Sequence, residues 1–258
     1  RREMVKRSVS AITDIYQNSI LKDSSRNSFM IKRMEDLADR TIWAMGEQLK
    51  CGDFVPFVFE HKFNMEVGDG DRKQLMSGTI DRVDICENDT DVYVRIIDYK
   101  TGKKDFNIVK TYYGIDIQLM VYMEAAMKLV AKMRPGKNVI PAGVFYYNIS
   151  DPIVSATTES AEEIEDKIKG ELRLKGMVNS DKDIVEKMDN TEGTSLNIPV
   201  SRKADGGFDS RRSKVMNTEQ FNMLGRFVDV RAVDTADRIA GGDIRRSPYK
   251  DGQFSSCD

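Results

Sequence analysis

A chain of 258 residues with 40% apolar and 32% charged side chains is long enough to bury a proper core and too apolar to stay disordered. A formal net charge of -2 excludes the bulk positive field of a general nucleic-acid coat protein, so any contact with nucleic acid has to rest on local basic patches. Three scattered cysteines, Cys51, Cys86 and Cys257, exclude a secreted disulfide framework and a cysteine-spaced zinc site, and point to a reducing cytoplasm.

From Met4 to Ile20 and from Ser28 to Lys50 apolar residues recur at helical spacing, which predicts two helices split by the polar KDSSRNS. Cys51-Gly52-Asp53 breaks the pattern, and three stretches rich in β-branched and aromatic residues follow at Phe54 to Val67, Leu75 to Cys86 and Val92 to Tyr99. They read as antiparallel strands joined by GDGDRK and ENDTD. A helix over Tyr112 to Met133 comes next, closed by Arg134-Pro135-Gly136-Lys137, then a strand over Val139 to Ile149. Further helices are predicted over Ser160 to Leu174, Asp181 to Met188 and Thr218 to Ile239, with TEGTSLNIPVSRKADGGFDSRR as a loop or partly mobile hairpin. The order implies an α/β fold with a mixed central sheet, antiparallel strands followed by helix and strand, flanked by helices. No apolar run approaches the roughly 20 residues needed to cross a bilayer. The start has no signal-peptide core and is not Met, and the end stops one residue after a cysteine, which reads as a piece of something longer.

The chemistry concentrates in the second and third strands. A tight turn between Asp89 and Thr90 sets Asp81 opposite Asp98, Val83 opposite Ile96 and Ile85 opposite Val94. On the other face Asp84 meets Arg95, an opposite-charge pair that supports the register. Because side chains alternate, Asp98 and Lys100 share a face while Tyr99 points away. The face carrying Val83, Ile85, Val94 and Ile96 is the one expected to pack, and it ends in two acids and a lysine. Opposed carboxylates repel, so they share a proton or hold a cation. Magnesium, with oxygen ligands and one or two carboxylates, fits that arrangement, manganese being the alternative. A metal there would activate water for phosphodiester hydrolysis, and Lys100 would orient that water or offset developing charge. An isolated D-x-K is more often an ordinary strand end beside the Thr101-Gly102-Lys103-Lys104 turn; the opposed Asp81 is what shifts the reading towards a site.

Gly78-Thr79-Ile80-Asp81, then Asp98-Tyr99-Lys100-Thr101, then Gln118-Leu119-Met120-Val121-Tyr122 resemble the G-x-x-D, D-Y-K-[ST] and Q-x-x-x-Y motifs of RecB-type nucleases in the PD-(D/E)xK superfamily. The nearest resemblance is to the C-terminal nuclease domains of AddB-type subunits of bacterial AddAB helicase-nucleases. It implies a restriction-endonuclease-like fold and one RecB-like domain over 1–258: helices in 1–50, nuclease core in 51–150, and a helical extension in 151–258. It also implies that Asp81 and Asp98 bind Mg²⁺, with the Tyr99 carbonyl as a further ligand, and that Gln118 and Tyr122 look onto the site from one helix face. Without the motif those two would be boundary positions on a helix whose buried stripe is Ile115, Leu119, Met123, Ala126 and Val130. Glu60, on the preceding strand, is either a third carboxylate or a solvent-facing residue. The ending SPYKDGQFSSCD is similar to the segment with which that family enters an iron-sulfur cysteine cluster, so Cys257 would be a 4Fe-4S ligand in an intact subunit only, the chain being cut within the cluster. No histidine precedes His61, whereas many RecB-type nucleases carry a G-x-x-x-H motif before the first strand.

Lys103, Lys104 and Lys110, with Tyr112 and Tyr113, either track a nucleic-acid backbone beside base-stacking rings or form a solvated charged loop. Arg211-Arg212 and Arg245-Arg246 are weaker candidates. The resemblance implies a Mg-dependent exonuclease domain that cuts a DNA strand delivered by a helicase, in double-strand break repair and recombination, with an AddA-type subunit as partner. An inactive DNA-clamping module of the same fold and a free-standing nuclease are the alternatives.

Overall fold

The computed structural model describes residues 1–15, 24–67, 73–155, 160–245, 248–251 and 254–256. The chain opens with helices α1 (Arg2–Ile15) and α2 (Ser25–Lys50), followed by strands β1 (Val55–Val67), β2 (Gln74–Glu87) and β3 (Asp91–Lys100). Helices α3 (Ile108–Tyr112) and α4 (Gln118–Met133) lead to β4 (Asn138–Asn148). Then come α5 (Ala161–Glu171), β5 (Lys175–Asn179), α6 (Lys182–Met188), β6 (Val215–Met216), α7 (Thr218–Ala240) and a small hairpin of β7 (Tyr249–Asp251) and β8 (Phe254–Ser256). Among the described residues no helix is long and apolar enough to cross a membrane.

β1 to β6 form one sheet in sequence order. β1, β2 and β3 pair antiparallel, and β4, reached through α4, lies parallel to β3, as a strand-helix-strand crossover requires. β5 is antiparallel to β4 and β6 parallel to β5, so the sheet is mixed, in agreement with the sequence. The β2–β3 register is the predicted one: Val83 faces Ile96, Ile85 faces Val94 and Asp84 faces Arg95. The turn closes through Asn88, whose amide donates to the Asp91 carbonyl at 3.0 Å and whose side-chain oxygen accepts from the amides of Thr90 and Asp91.

Three sequence expectations need correction. The helix expected over Tyr112 to Met133 starts only at Gln118: Tyr112 is the last residue of α3, after which Gly114 adopts φ +79 and the turn is held by Thr111 Oγ1 donating to the Asp116 carbonyl at 2.9 Å. β5 and β6 were not foreseen. β5 runs so close to β4 that a Cβ on Gly176 would collide with the Val144 carbonyl, which makes glycine obligatory there. The segment read as a loop or partly mobile hairpin is irregular and bridged at Thr194–Ser201 and Arg202–Phe208, in keeping with that reading, and it carries buried Ser195, Ile198, Val200 and Ser201. Finally, the sheet packs on both faces. One face meets α4 and α7, with Val83, Val94, Ile96 and Val144 against Leu119, Met123, Ala126 and Phe221. The other buries Ile97, Phe145 and Tyr147 with Phe54, Leu174, Val185, Met188 and Ile198.

That second face also contains charge. Asp84 is fully buried and accepts two hydrogen bonds from Arg82, at 2.6 and 2.8 Å, and one from Arg95 at 2.9 Å. The Arg95 guanidinium lies 4.8 Å from the Phe54 ring centroid. Two guanidiniums around one carboxylate are tolerable out of water only while the carboxylate is present. Asp84→Ala should therefore cost about 3–5 kcal/mol of stability; urea unfolding followed by circular dichroism measures it, and a loss below about 1 kcal/mol would contradict the buried triad.

Candidate active site

The β2–β3 ladder ends one pair before Asp81 and Asp98, which continue its register at the end of the apolar face. Asp81 leaves the ladder pattern to accept the Tyr99 backbone amide through Oδ2 at 2.7 Å. That bond ties its carboxylate to the strand carrying Asp98. Asp98 is 2% exposed, and its Oδ2 lies 2.7 Å from Lys100 Nζ yet has no well-formed hydrogen bond. Burial pushes the Asp98 carboxyl above the usual aspartate range, with the Asp81 charge adding to the rise and Lys100 and Lys104 opposing it.

From Lys100 a chain of side chains runs onto α4. Lys100 Nζ donates to Gln118 Oε1 at 3.0 Å, and Gln118 Nε2 donates to the Tyr122 hydroxyl at 2.9 Å. Tyr122 rests edge-on against Phe63, with ring centroids 5.8 Å apart. Gly78, the glycine of the first motif, makes room for this contact: a Cβ there would stand 2.9 Å from Phe63 and 3.4 Å from Tyr122. The structure thus brings Asp81, Asp98, Lys100, Gln118 and Tyr122 into one connected group. The Tyr99 side chain points away, as alternation requires, and packs edge-on against Tyr147.

Other sequence candidates fall differently. Glu60 is exposed with φ +47, although its neighbours Phe59 and His61 pair with Arg82 and Ile80 and so place it at the level of Asp81. Among the described residues no three acidic, histidine or cysteine side chains gather as a ligand set, so Glu60 does not join the pair. Lys103 is exposed. Lys104 is held: Asn148 bonds its backbone amide and carbonyl at 3.0 and 2.9 Å, and its Nζ lies 3.4 Å from Asp116. Tyr112 is 59% exposed and stacks on Phe227, with centroids 5.2 Å apart and planes at 5°. Arg245 is bonded to Asp243, while Arg246 and Cys257 lie outside the described residues.

Sequence reasoning missed Tyr146, Asp116 and Asn148. Tyr146 is the ladder partner of Asp98, fully buried, and its ring floors the site, with Lys100 Nζ at 5.6 Å and Lys104 Nζ at 5.7 Å from its centroid. Its hydroxyl donates to Asp116 Oδ1 at 2.8 Å; burial, and then that bond, raise its pKa far beyond the usual phenol value. None of these three lies in a motif; sheet pairing brings Tyr146 and Asn148 to the acids, and the turn between α3 and α4 brings Asp116.

Residues 2–258 match the PD-(D/E)XK nuclease superfamily. The chain belongs to that superfamily. It is 36% identical over 250 residues, 93% of its length, to a subunit of the ATP-dependent helicase/deoxyribonuclease of Clostridium botulinum strain Hall. It is 35% identical over 260 residues, 96% of its length, to the subunit of the same name in Caldanaerobacter subterraneus subsp. tengcongensis. The corresponding subunit of Lachnoclostridium phytofermentans is 35% identical over 97% of the chain. In each case the chain spans about a fifth of the relative, 22% of its length. Divalent metals are typical of this superfamily, and the residues fit one: two carboxylates supply hard oxygen donors, and one of them has a buried oxygen without a well-formed hydrogen bond.

The Asp98 shift carries a sign. Its folded-state pKa is raised, so the folded chain holds the proton more tightly than the unfolded one, and stability without metal falls as pH rises from the ordinary aspartate range through the folded value. In EDTA at neutral pH, Asp98→Asn should melt higher than wild type, by roughly 2–4 °C for each kcal/mol relieved. Added Mg²⁺ or Mn²⁺ should raise the melting temperature of wild type and leave that of Asp98→Asn unchanged. Thermal melts from pH 4 to 8, with and without metal, check both expectations.

Proposed function

We propose that the chain is the metal-dependent deoxyribonuclease module of a helicase-nuclease subunit and hydrolyses phosphodiester bonds of one DNA strand as an exonuclease. The observation that carries this reading is the connected group Asp81, Asp98, Lys100, Gln118 and Tyr122 in a chain of the PD-(D/E)XK superfamily.

Asp81 and Asp98 would hold Mg²⁺, or Mn²⁺ in its place, with the Tyr99 carbonyl as a further oxygen donor. Such a metal lowers the pKa of bound water and stabilises charge on a phosphate. Lys100 orients the attacking water and offsets negative charge developing on the phosphate. Gln118 keeps the Lys100 amine from folding wholly onto Asp98, since its Oε1 competes for that amine at 3.0 Å. Tyr122 fixes the amide of Gln118, and hence which of its atoms faces Lys100. The asymmetry of the acids suits their work: Asp81 is fixed by a backbone amide, while the buried Oδ2 of Asp98 has the Lys100 amine beside it at 2.7 Å but no well-formed hydrogen bond, and a metal cation would take that contact over. Lys103, Lys104 and Tyr112 would contact the DNA strand.

The names of the relatives join an ATP-dependent helicase to a deoxyribonuclease, which supports a strand delivered by a helicase motor. An AddA-type subunit would be the partner, and double-strand break repair the setting. Free thiols at Cys51 and Cys86 suit a cytoplasmic setting. In an intact subunit Cys257 would join a 4Fe-4S cluster.

End-labelled single-stranded DNA incubated with the chain and Mg²⁺ or Mn²⁺ tests this reading. Wild type should shorten the label, Asp98→Ala should fall to background, and Lys100→Ala should lose about 10²–10³-fold in rate. Gln118→Ala, which acts through Lys100, should lose about 10–100-fold. Equal rates for wild type and Asp98→Ala would sink the proposal.

A further inference from the structure

The row of residues that contains the acids continues beyond β3. Asp98 pairs with Tyr146 on β4, and Tyr146 pairs with Lys175 on β5. Paired residues share a face, and the neighbouring pair Val144–Met177 packs in the same apolar layer as Val94 and Ile96, so Lys175 stands on the face of the sheet that carries the site. Strands lie roughly 4.8 Å apart, which puts the Lys175 backbone about 10 Å from that of Asp98.

Lys175 differs from the other lysines of this face. Lys100 has Asp98 and Gln118, and Lys104 has Asp116. Lys175 is half-buried and, among the described residues, has no carboxylate within ion-pair distance. Its surroundings lower its pKa, through burial first and then the Arg173 charge, with Lys214 adding to the effect; Glu171 and Asp105 oppose it. Asp105 is already bonded to Lys214. A partly desolvated ammonium without a partner is a cost to the fold. An anion arriving on this face would relieve it. Between Lys175 and the acids lies the fully buried Tyr146 ring with the Lys104 amine 5.7 Å from its centroid, so the cations of Lys104 and Lys175, and not the ring, are what an extended polyanion following this row would meet.

We infer that Lys175, with Lys104, forms a phosphate track that carries the single strand across Tyr146 from the acid pair towards β5. The inference rests on the nuclease reading and adds to it the path of the substrate strand and a contact residue no motif contains. Lys104 is placed by Asn148 and Asp116, which act as positioning residues, whereas Lys175 touches the phosphate directly.

The test is binding of a fluorescently labelled single-stranded oligonucleotide by anisotropy in EDTA over a range of NaCl, beside the cleavage assay in Mg²⁺ or Mn²⁺. Lys175→Met keeps the stem and removes the charge. It should bind several-fold more weakly than wild type and flatten the slope of log K against log[salt] by about 0.7, the value of one single-strand phosphate contact. Lys175→Arg should restore both. The melting temperature of Lys175→Met should equal or exceed that of wild type, because an unpaired ammonium has been removed; a purely structural lysine would lose stability instead. If the methionine variant melts lower, Lys175→Gln measured at equal folded fraction takes its place. Lys132→Ala, at the other end of α4, controls for bulk charge.

Unchanged affinity and slope in Lys175→Met overturn the track. So does an equal loss in Lys132→Ala. Wild type that binds and cuts while the variant matches it overturns the track alone. Wild type that binds without cutting overturns the nuclease reading and leaves the track to the salt slopes. A chain that neither binds nor cuts overturns both.

Discussion

The register between β2 and β3 is the constraint on which the site depends. A one-residue slip would turn every side chain of one strand to the opposite face: Asp84 would enter the apolar layer under α4, and the acid pair would part. Two devices hold the register from opposite ends. The Asn88 turn fixes the loop at its tight length, and the Arg82–Asp84–Arg95 cluster can form only when Asp84 and Arg95 are opposed. A buried ion cluster is weak evidence for net stability, since apolar residues of similar volume often do as well. Its effect here is selective: the slipped pairing is costly because it strands the charges.

Stability and chemistry are divided between the two faces of the sheet and along its length. Charge on the second face is one carboxylate held between two guanidiniums, with Arg95 against the Phe54 ring and Arg82 near the Tyr99 hydroxyl. Charge on the first face gathers at one end of the sheet, at Asp81 on β2, Asp98 and Lys100 on β3 and Lys175 on β5, beyond the apolar residues that hold α4. There the acids are only partly compensated, since burial and mutual repulsion both oppose ionisation of Asp98. Such a pair does not serve folding, and its retention beside a lysine is intelligible if a cation completes it. α4 serves both purposes. Leu119 and Met123 lie in the core, while Gln118 and Tyr122, on the flank of the same helix, reach the site.

How much of this was legible in the sequence varies with the physics of each element. The β2–β3 hairpin could be read because turn length, alternation and the Asp84/Arg95 pair all gave the same answer. The start of α4 was misplaced because Ile115 keeps the helical period through a break set by the φ of Gly114, which a pattern of apolar residues does not register. β5 and β6 are short, and β5 contains glycine and two polar residues, so they become strands through pairing with a neighbour and not through their own propensity. Packing on the second face went unread because polar alternation suggested solvent, whereas the polar residues are buried together. Glu60 shows the limit from the other side. Register alone sets it level with Asp81, and its left-handed backbone, which no sequence pattern announces, leaves it exposed. Tyr146, Asn148 and Lys175 all lie well beyond Asp98 in the chain and outside any motif, and it is the order of the strands that gathers them around the acids, while Asp116 arrives on the turn before α4.

Net charge is a poor guide to what such a sheet can bind. With a formal charge of -2 the chain has no long-range attraction for a polyanion, and screening over roughly 8 Å in physiological salt would remove much of one. What matters is how firmly cations are held within a few ångströms of the acids. Lys100 is fixed by two side chains, and Lys104 by its backbone, a carboxylate and a ring. Immobilising them in the folded chain reduces the ordering left to be done when a phosphate arrives. The same fixation explains how lysines and acids share so small an area: Asp81 is bonded to the Tyr99 amide and Asp116 to the Tyr146 hydroxyl, while the Lys100 and Lys104 amines lie beside Asp98 and Asp116 and offset their charge.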